Sequence, residues 1–583
     1  MRVFIREKCL LGAGLLCISL TPAALLARDR NGDSEKKPAP AATKPSAPIP
    51  LTERERWLLD RIEELEKRVA ELEAKNHAAP AANTSAEFTA AVAEPPAVKA
   101  ITPSNVPATE AAVLPTPTAP GTNAVGTVMA AKSVGQEQAG PPAKAEPFAF
   151  ADFTWLNGNA RTKEIPLDTK FFTPDVRADI SYIYDFNHPK DDTIGGSSEV
   201  FRSKEVQVTQ LGVGGDFHYD NVRARLMTQF GMYAQTTPRN DASPARGQWD
   251  LDTAYRYVSE AYGGYHFNVL HGINVDAGIF MSYIGLFSYY NFDNWAYQPS
   301  FVSSNTPWFF NGVRVQIFPT EHLKIEPWFT NGWQSYGRFN HRPGFGTQIL
   351  YRPNGWLSVL GNQYAFGEET PGVPGRVRYH SDDSIEVKYY DHPENRVSKM
   401  AFSLTGDIGC EHGGGVSCYT NTKQGPKQSF LGYMLYNRVW FDRDRYALTL
   451  GGGRINNPGR YLVLIPPING ATAPSAAINS PYFTANPGDP FKAWDASGTI
   501  DWMPSQYITF RWEFDHRAAN VPYWSGSGGM TPPGGNNGFP TQFVCMDGTN
   551  VATSTACGAN GGLWMPDLKK IENRINMAIM VKF

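Results

Sequence analysis

The chain has 583 residues, a formal net charge of −3 and 13% aromatic residues. So even a balance gives nucleic acid no electrostatic footprint to follow. After the N-terminal region no stretch approaches the run of about eighteen apolar residues that a spanning helix needs, so any membrane insertion must be by a closed barrel.

Arg2, Arg6 and Lys8 precede an apolar run, roughly Leu10 to Leu26, that closes on the small residues Ala23, Ala24 and Ala27. Residues 1–27 therefore read as a cleaved secretory signal. Cys17 lacks the preceding small residues of a lipid-anchor site. Cys9 and Cys17 leave with the signal, which leaves Cys410 with Cys418 and Cys545 with Cys557. Two close pairs in an exported chain predict two local disulfides. Metal binding is the weaker reading, because neither pair has a second pair or a histidine array at zinc spacing and His412 stands alone. No metal and no cofactor is expected.

From Leu51 the apolar positions step to Leu58, Ile62, Leu65, Val69 and Leu72 among Glu, Arg and Lys, a heptad seam that predicts a coiled-coil helix over 51–76. At about three heptads it is marginal by itself, so its association is expected to be coupled to that of the domain it is tethered to. Residues 77–147 are rich in Ala, Pro, Thr and Val without usable periodicity and predict a disordered linker. A coil of that length averages about 45 Å end to end, enough to carry the helix toward the cell wall. It does not supply the folded plug of an energised transporter.

From Phe148 to Phe583 aromatic, alternating runs recur between turn residues. Val176, Ala178, Ile180, Tyr182 and Tyr184 alternate with Arg177, Asp179, Ser181 and Asp185. Leu211 to Tyr219 and Val222 to Phe230 alternate on either side of Asp220 and Asn221, a tight hairpin. Similar faces follow around Val275, Val315, Phe402, Leu448, Ile500 and Trp512. The chain ends on Ile575, Met577, Ile579, Val581 and Phe583, one apolar face of a strand opposite Glu572, Arg574, Asn576 and Lys582. A terminal aromatic on such a face looks like the assembly signal of outer-membrane barrels. These runs predict an all-β fold over 148–583, a transmembrane antiparallel barrel of about sixteen strands, with fourteen and eighteen as alternatives. Short turns would face the periplasm. Long loops, holding both cysteine pairs, would face outward.

The inward positions carry both signs of charge in similar number, including Arg177, Arg223, Arg225, Arg314, Arg438 and Arg511 with Asp179, Asp276, Asp501 and Glu513. They announce neither anion nor cation selectivity. The third long loop, from about Gly285 to Pro307, is dense in aromatic and amide groups and is the candidate constriction. Its Tyr289, Tyr290, Asp293, Asn294 and Trp295 are expected to fold into the lumen, with Asp293 facing a basic wall of Arg223 and Arg225 and with Arg314 on the same inner face. The alternative is a loop latched to the barrel rim or to a neighbouring protomer.

At Asp152-Phe153-Thr154-Trp155-Leu156-Asn157-Gly158, Asn294-Trp295-Ala296-Tyr297, Thr306-Pro307-Trp308, Gly312, Asn331-Gly332-Trp333 and the charged run Arg511 to Arg517, the chain resembles the OmpL-like β-barrel porins of bacterial outer membranes. The resemblance implies an outer-membrane porin passing small hydrophilic solutes by passive diffusion, set in outer-membrane lipid as a homotrimer, with dimer the alternative. Phe309-Phe310-Asn311 departs from the family's more polar run. A hydrolase would need a nucleophile beside Asp515 and His516, and there is no G-x-S-x-G elbow. An enzyme is therefore not expected. The other reading is a non-conducting barrel that anchors the envelope or displays adhesive loops, such as the one around Trp524, Ser525 and Gly526.

Overall fold

The computed structural model describes Lys67 and residues 146–583 except 190–191, 195–196, 198, 239–240, 242, 244–246, 371–372, 458–487, 489, 528–542, 545–549 and 552–567. The signal at 1–27, the heptad region at 51–76 apart from Lys67, the linker up to residue 145, and Cys545 and Cys557 lie outside the described residues.

Among the described residues, sixteen strands form a closed antiparallel barrel in sequence order, the last pairing with the first. They are β1 (Phe172–Asp185), β2 (Val206–Tyr219), β3 (Val222–Thr228), β4 (Val258–Phe267), β5 (Ile273–Met281), β6 (Phe309–Thr320), β7 (Leu323–Thr330) and β8 (Gly344–Asn354). The second half comprises β9 (Leu357–Glu368), β10 (Val377–Asp391), β11 (Val397–His412), β12 (Ser429–Phe441), β13 (Tyr446–Asn457), β14 (Phe491–Ser505), β15 (Ile508–Ala519) and β16 (Ile571–Lys582).

The period of two in the sequence becomes two surfaces. On β1, Asp175, Arg177, Asp179 and Ser181 are buried toward the lumen, and the alternate residues, such as Ile180, face outward. Leu450, Ile500, Trp512, Phe514 and Ile579 are exposed on the outer wall, which is the face that lipid covers. Closure leaves no strand edge unpaired, as a spanning sheet requires. The β1–β16 seam aligns Arg177 with Lys582 and Tyr182 with Met577. Beyond it, Phe583 and Val176 exchange backbone hydrogen bonds of 2.9 and 3.1 Å.

Connections alternate between short turns and long loops. Asp220 and Asn221, between β2 and β3, take φ of 47° and 66°. Two left-handed residues give a hairpin the twist its strands need, and Asp and Asn tolerate that region better than most. Both ends of the barrel lie at the short-turn edge.

Two details differ from the alternation. β11 runs on to His412, so Cys410 stands on a strand instead of in a loop; it is joined by a disulfide to Cys418 in the connection that follows, with Cα atoms 4.9 Å apart. The inner wall is also not uniformly polar. Tyr262, Phe280, Phe310, Trp328 and Tyr364 form one buried cluster, while Met434, Tyr436 and Trp440 belong to another. These inward rings are covered by chain that folds into the lumen.

Candidate functional site

Residues 282–308, which we term loop 3, connect β5 to β6 and lie within the barrel, held by groups from most of its circumference. Asp293 sits where β1 meets β16. Its carboxylate accepts from Arg177 Nη1 at 2.6 Å and from Lys582 Nζ at 3.0 Å, two cations directly opposite each other in the strand register. Burial alone would raise the Asp293 pKa, but Arg177 first and Lys582 next hold it below the usual carboxylate range. Arg177 also lies 4.0 Å from the Tyr290 ring, and Tyr290 donates to Glu260 on β4 at 2.9 Å.

The loop backbone is satisfied largely by charged side chains of β12, β14 and β15. Arg511 donates to the carbonyls of Asn291, Asn294 and Ala296 at 3.1, 2.6 and 3.0 Å. Glu513 accepts from the amides of Tyr297 and Gln298 at 2.6 and 2.7 Å. Asp495 accepts from the Phe301 amide at 2.7 Å, and Arg438 donates to the Trp295 carbonyl at 3.1 Å. Beneath them Asp501 is shared by Arg438 and Arg511 at 2.7 and 2.6 Å. An irregular segment inside a barrel has no ladder to join, so each buried amide and carbonyl needs such a partner.

The expected basic wall is corrected by these contacts. Arg223 and Arg225 do not face Asp293. Arg225 is held by Asp175, Asp216 and Glu260 at 2.8, 2.6 and 3.0 Å, and Arg223 by Asp276 at 3.3 Å. Arg314 shares Asp276 at 3.1 Å and lies over the Tyr262 and Phe280 rings. The cause is register: Asp216 is directly opposite Arg225 and Asp276 directly opposite Arg314, so wall carboxylates reach these arginines before the loop does. Tyr289, Asn294 and Trp295 are buried, Asn294 against the loop itself and the two aromatics against neighbouring segments. Tyr289 is hydrogen-bonded with Gln229 and Thr237, Asn294 bridges back to Ser288, and Trp295 packs edge-on to Trp440 at 5.6 Å.

Below the loop, residues 148–164 cross the short-turn mouth before β1 begins. Phe153, Trp155, Asn157, Asn159 and Ala160 are buried there. The Gly158 amide donates to the Asp293 carbonyl at 2.9 Å, and Arg438 donates to the Gly158 carbonyl at 2.7 Å. The sequence exposed these residues only as markers of resemblance; their apolar run carries no period that would place it in a lumen. With both segments in place, inward side chains such as Asn362, Asp382, Thr405, Tyr436 and Arg438 are buried. A cavity of about 20 Å³, bordered by Tyr233, Tyr289 and Trp308, has room for water and not for a solute. Asp515 and His516 point to opposite surfaces. Asp515 is buried inside, while His516 meets Asn573 at 2.7 Å and Trp494 on the outer wall. No grouping of metal-ligating side chains occurs among the described residues.

A closed sixteen-strand barrel with an apolar outer wall, a charged inner wall and a long loop folded inward defines an outer-membrane barrel of the porin type. The chain belongs to the family described as "Putative beta-barrel porin-2, OmpL-like", whose model matches residues 177–552. It is an outer-membrane protein of a family of channels. No curated protein matches the sequence. Among solved structures, the chain is similar to the outer-membrane channel DcaP of Acinetobacter baumannii, at 12% identity and a TM-score of 0.37 over 71% of this chain and 99% of that one. It is also similar to OmpT, an outer-membrane protein of Vibrio cholerae, at 10% identity and a TM-score of 0.36 over 72% and 99%. The anion-selective porin from Comamonas acidovorans aligns at 10% identity and a TM-score of 0.38 over 71% and 99%. The family match carries the assignment.

Proposed function

We propose that this porin passes small hydrophilic solutes by passive diffusion around loop 3, working as a homotrimer in outer-membrane lipid. The supporting observation is the way the loop is held: both signs of charge on the inner wall fix a polar, aromatic segment across the lumen, which is how a barrel of this width is narrowed to a selective path. Asp293 with Arg177 and Lys582 would form one edge of that path. Tyr289, Tyr290, Asn294 and Trp295 would set its bulk. The terminal face of Met577, Ile579, Val581 and Phe583 would serve assembly. In this reading Cys545 and Cys557 form a second local disulfide, and residues 51–76 pair as a coiled coil that contacts the cell wall.

The burial of the inward side chains favours a second reading, a non-conducting barrel that anchors the envelope or displays its loops. Purified protein in a planar bilayer separates the two. Stable conductance steps grouped in threes, with block by a small sugar or peptide, support the trimeric porin. Silence from folded, inserted protein supports the anchor.

A further inference from the structure

Residues 148–164 lie as a chord across the mouth. The Phe148 amide donates to the Glu321 carbonyl in the β6–β7 turn at 2.8 Å, and the Trp155 indole donates to the Gly355 carbonyl in the β8–β9 turn at 3.1 Å. Arg161 then donates to the Met503 and Pro504 carbonyls near the β14–β15 turn, both at 2.6 Å, and Thr162 to the Gln506 carbonyl at 3.1 Å. The first and last of these turns are eight strands apart in a ring of sixteen, at opposite points of the rim.

This strap supports loop 3 from below. A Cβ on Gly158 would lie 2.3 Å from the Phe292 carbonyl oxygen and 2.5 Å from that of Asn294, so only glycine lets the two segments touch. Arg438 ties them together, donating to carbonyls of both. Yet the strap pairs with no strand. Its polar anchors are chiefly carbonyls of the short turns, so lifting it would break no rung of the barrel ladder. Lifting would also relieve a buried charge. Arg352 on β8 lies beneath the Phe153 and Phe148 rings, 4.6 and 5.1 Å away; Glu386 acts on its charge from β10 and its Nε reaches Ser358 Oγ at 3.5 Å, but its Nη2 is buried without a hydrogen-bond partner. Ring faces compensate a buried guanidinium only in part, and water reaching it restores the remainder.

We propose that residues 148–164 are the element controlling permeation: a strap over the periplasmic mouth that must lift, releasing the tip of loop 3, before solutes cross. The proposal rests on the porin reading above and adds a determinant to it. Its sequence lies before the residues 177–552 that the family model matches.

The test uses the full chain in planar bilayers, with a Thr162→Cys/Gln506→Cys pair recorded oxidised and after reductant, and native protein given the same treatment to account for Cys410–Cys418. A strap that must lift predicts that the oxidised pair loses conductance at least about tenfold against its reduced form, because the lock removes the open population. A second variant lacking 148–164 should conduct with larger steps than native protein and admit larger sugars. Equal conductance of the oxidised and reduced pair overturns the strap while leaving the porin reading in place. Silence from every folded form, the shortened one included, overturns both. If the shortened chain does not fold, the cysteine pair decides alone.

Discussion

The wall made by β12, β14 and β15 and the wall made by β3, β5 and β6 carry the same residue types at the same strand period, yet they differ in what their charges face. On the first, Arg438, Arg511 and Glu513 turn to the backbone of loop 3. On the second, Arg223, Arg225 and Arg314 are consumed by carboxylates of neighbouring strands. One wall binds chain; the other binds itself. A charged inner wall is therefore no measure of the field a solute meets, because a cation ringed by carboxylates, as Arg225 is by three, projects little charge into the lumen.

The difference is tested hardest at the carboxylates each wall shares. Asp501 is fully buried between Arg438 and Arg511, so Asp501→Ala strands two buried guanidinium groups and should cost about 3–5 kcal/mol, read from the urea midpoint of the refolded barrel. Asp276→Ala should cost less, since the Arg223 side chain keeps 11% exposure and water takes part of the load. An equal or larger loss at Asp276 would show that the loop-holding wall is not the stiffer of the two.

Next in size is the seam. Asp293→Asn keeps one acceptor but removes the charge that holds Arg177 and Lys582, an expected loss of about 1–3 kcal/mol in the docking of loop 3 with the barrel intact. Conductance should change in this variant and stay nearer native in Arg225→Gln, whose guanidinium is taken up by Asp175, Asp216 and Glu260 on the wall. The pH dependence follows from the sign of the shift. A carboxylate whose folded pKa is depressed lends stability that is present above its unfolded value, about 3.9, and lost as pH falls through the lower folded value. Conductance steps should therefore hold from pH 7 to about pH 4.5 and alter only below the unfolded value, and Asp293→Asn should abolish that acid transition.

What the sequence made legible was whatever obeys a local period. The strand faces, the Asp220–Asn221 hairpin, the count near sixteen and the length of the third loop all follow from alternation and turn chemistry. Arg177, Arg438, Arg511, Asp501 and Glu513 were readable as inward for the same reason. Their partners were not. The Arg177–Asp293 pair spans 116 residues and the Lys582–Asp293 pair 289, and such matches depend on barrel closure and on a loop with no period of its own. Trp155 illustrates the other limit: an aromatic in a non-repeating run gives no sign of whether it meets lipid, water or, as here, the inside of a barrel.

The smallest expected effect falls at the one pair that looked chemical. Asp515 and His516 are adjacent in sequence, and the pleat sends them to opposite surfaces. Asp515 belongs to the charged interior with Arg574, 3.7 Å away, whereas His516 contacts Trp494 and Asn573 on the outer wall. His516→Ala should therefore cost no more than about 1 kcal/mol, the scale of one aromatic contact, and leave single-channel conductance at the native value. A change in conductance from this substitution would mean that the outer wall at β15 communicates with the lumen. The separation of the two surfaces, on which the contrast between the two inner walls depends, would then fail at that strand.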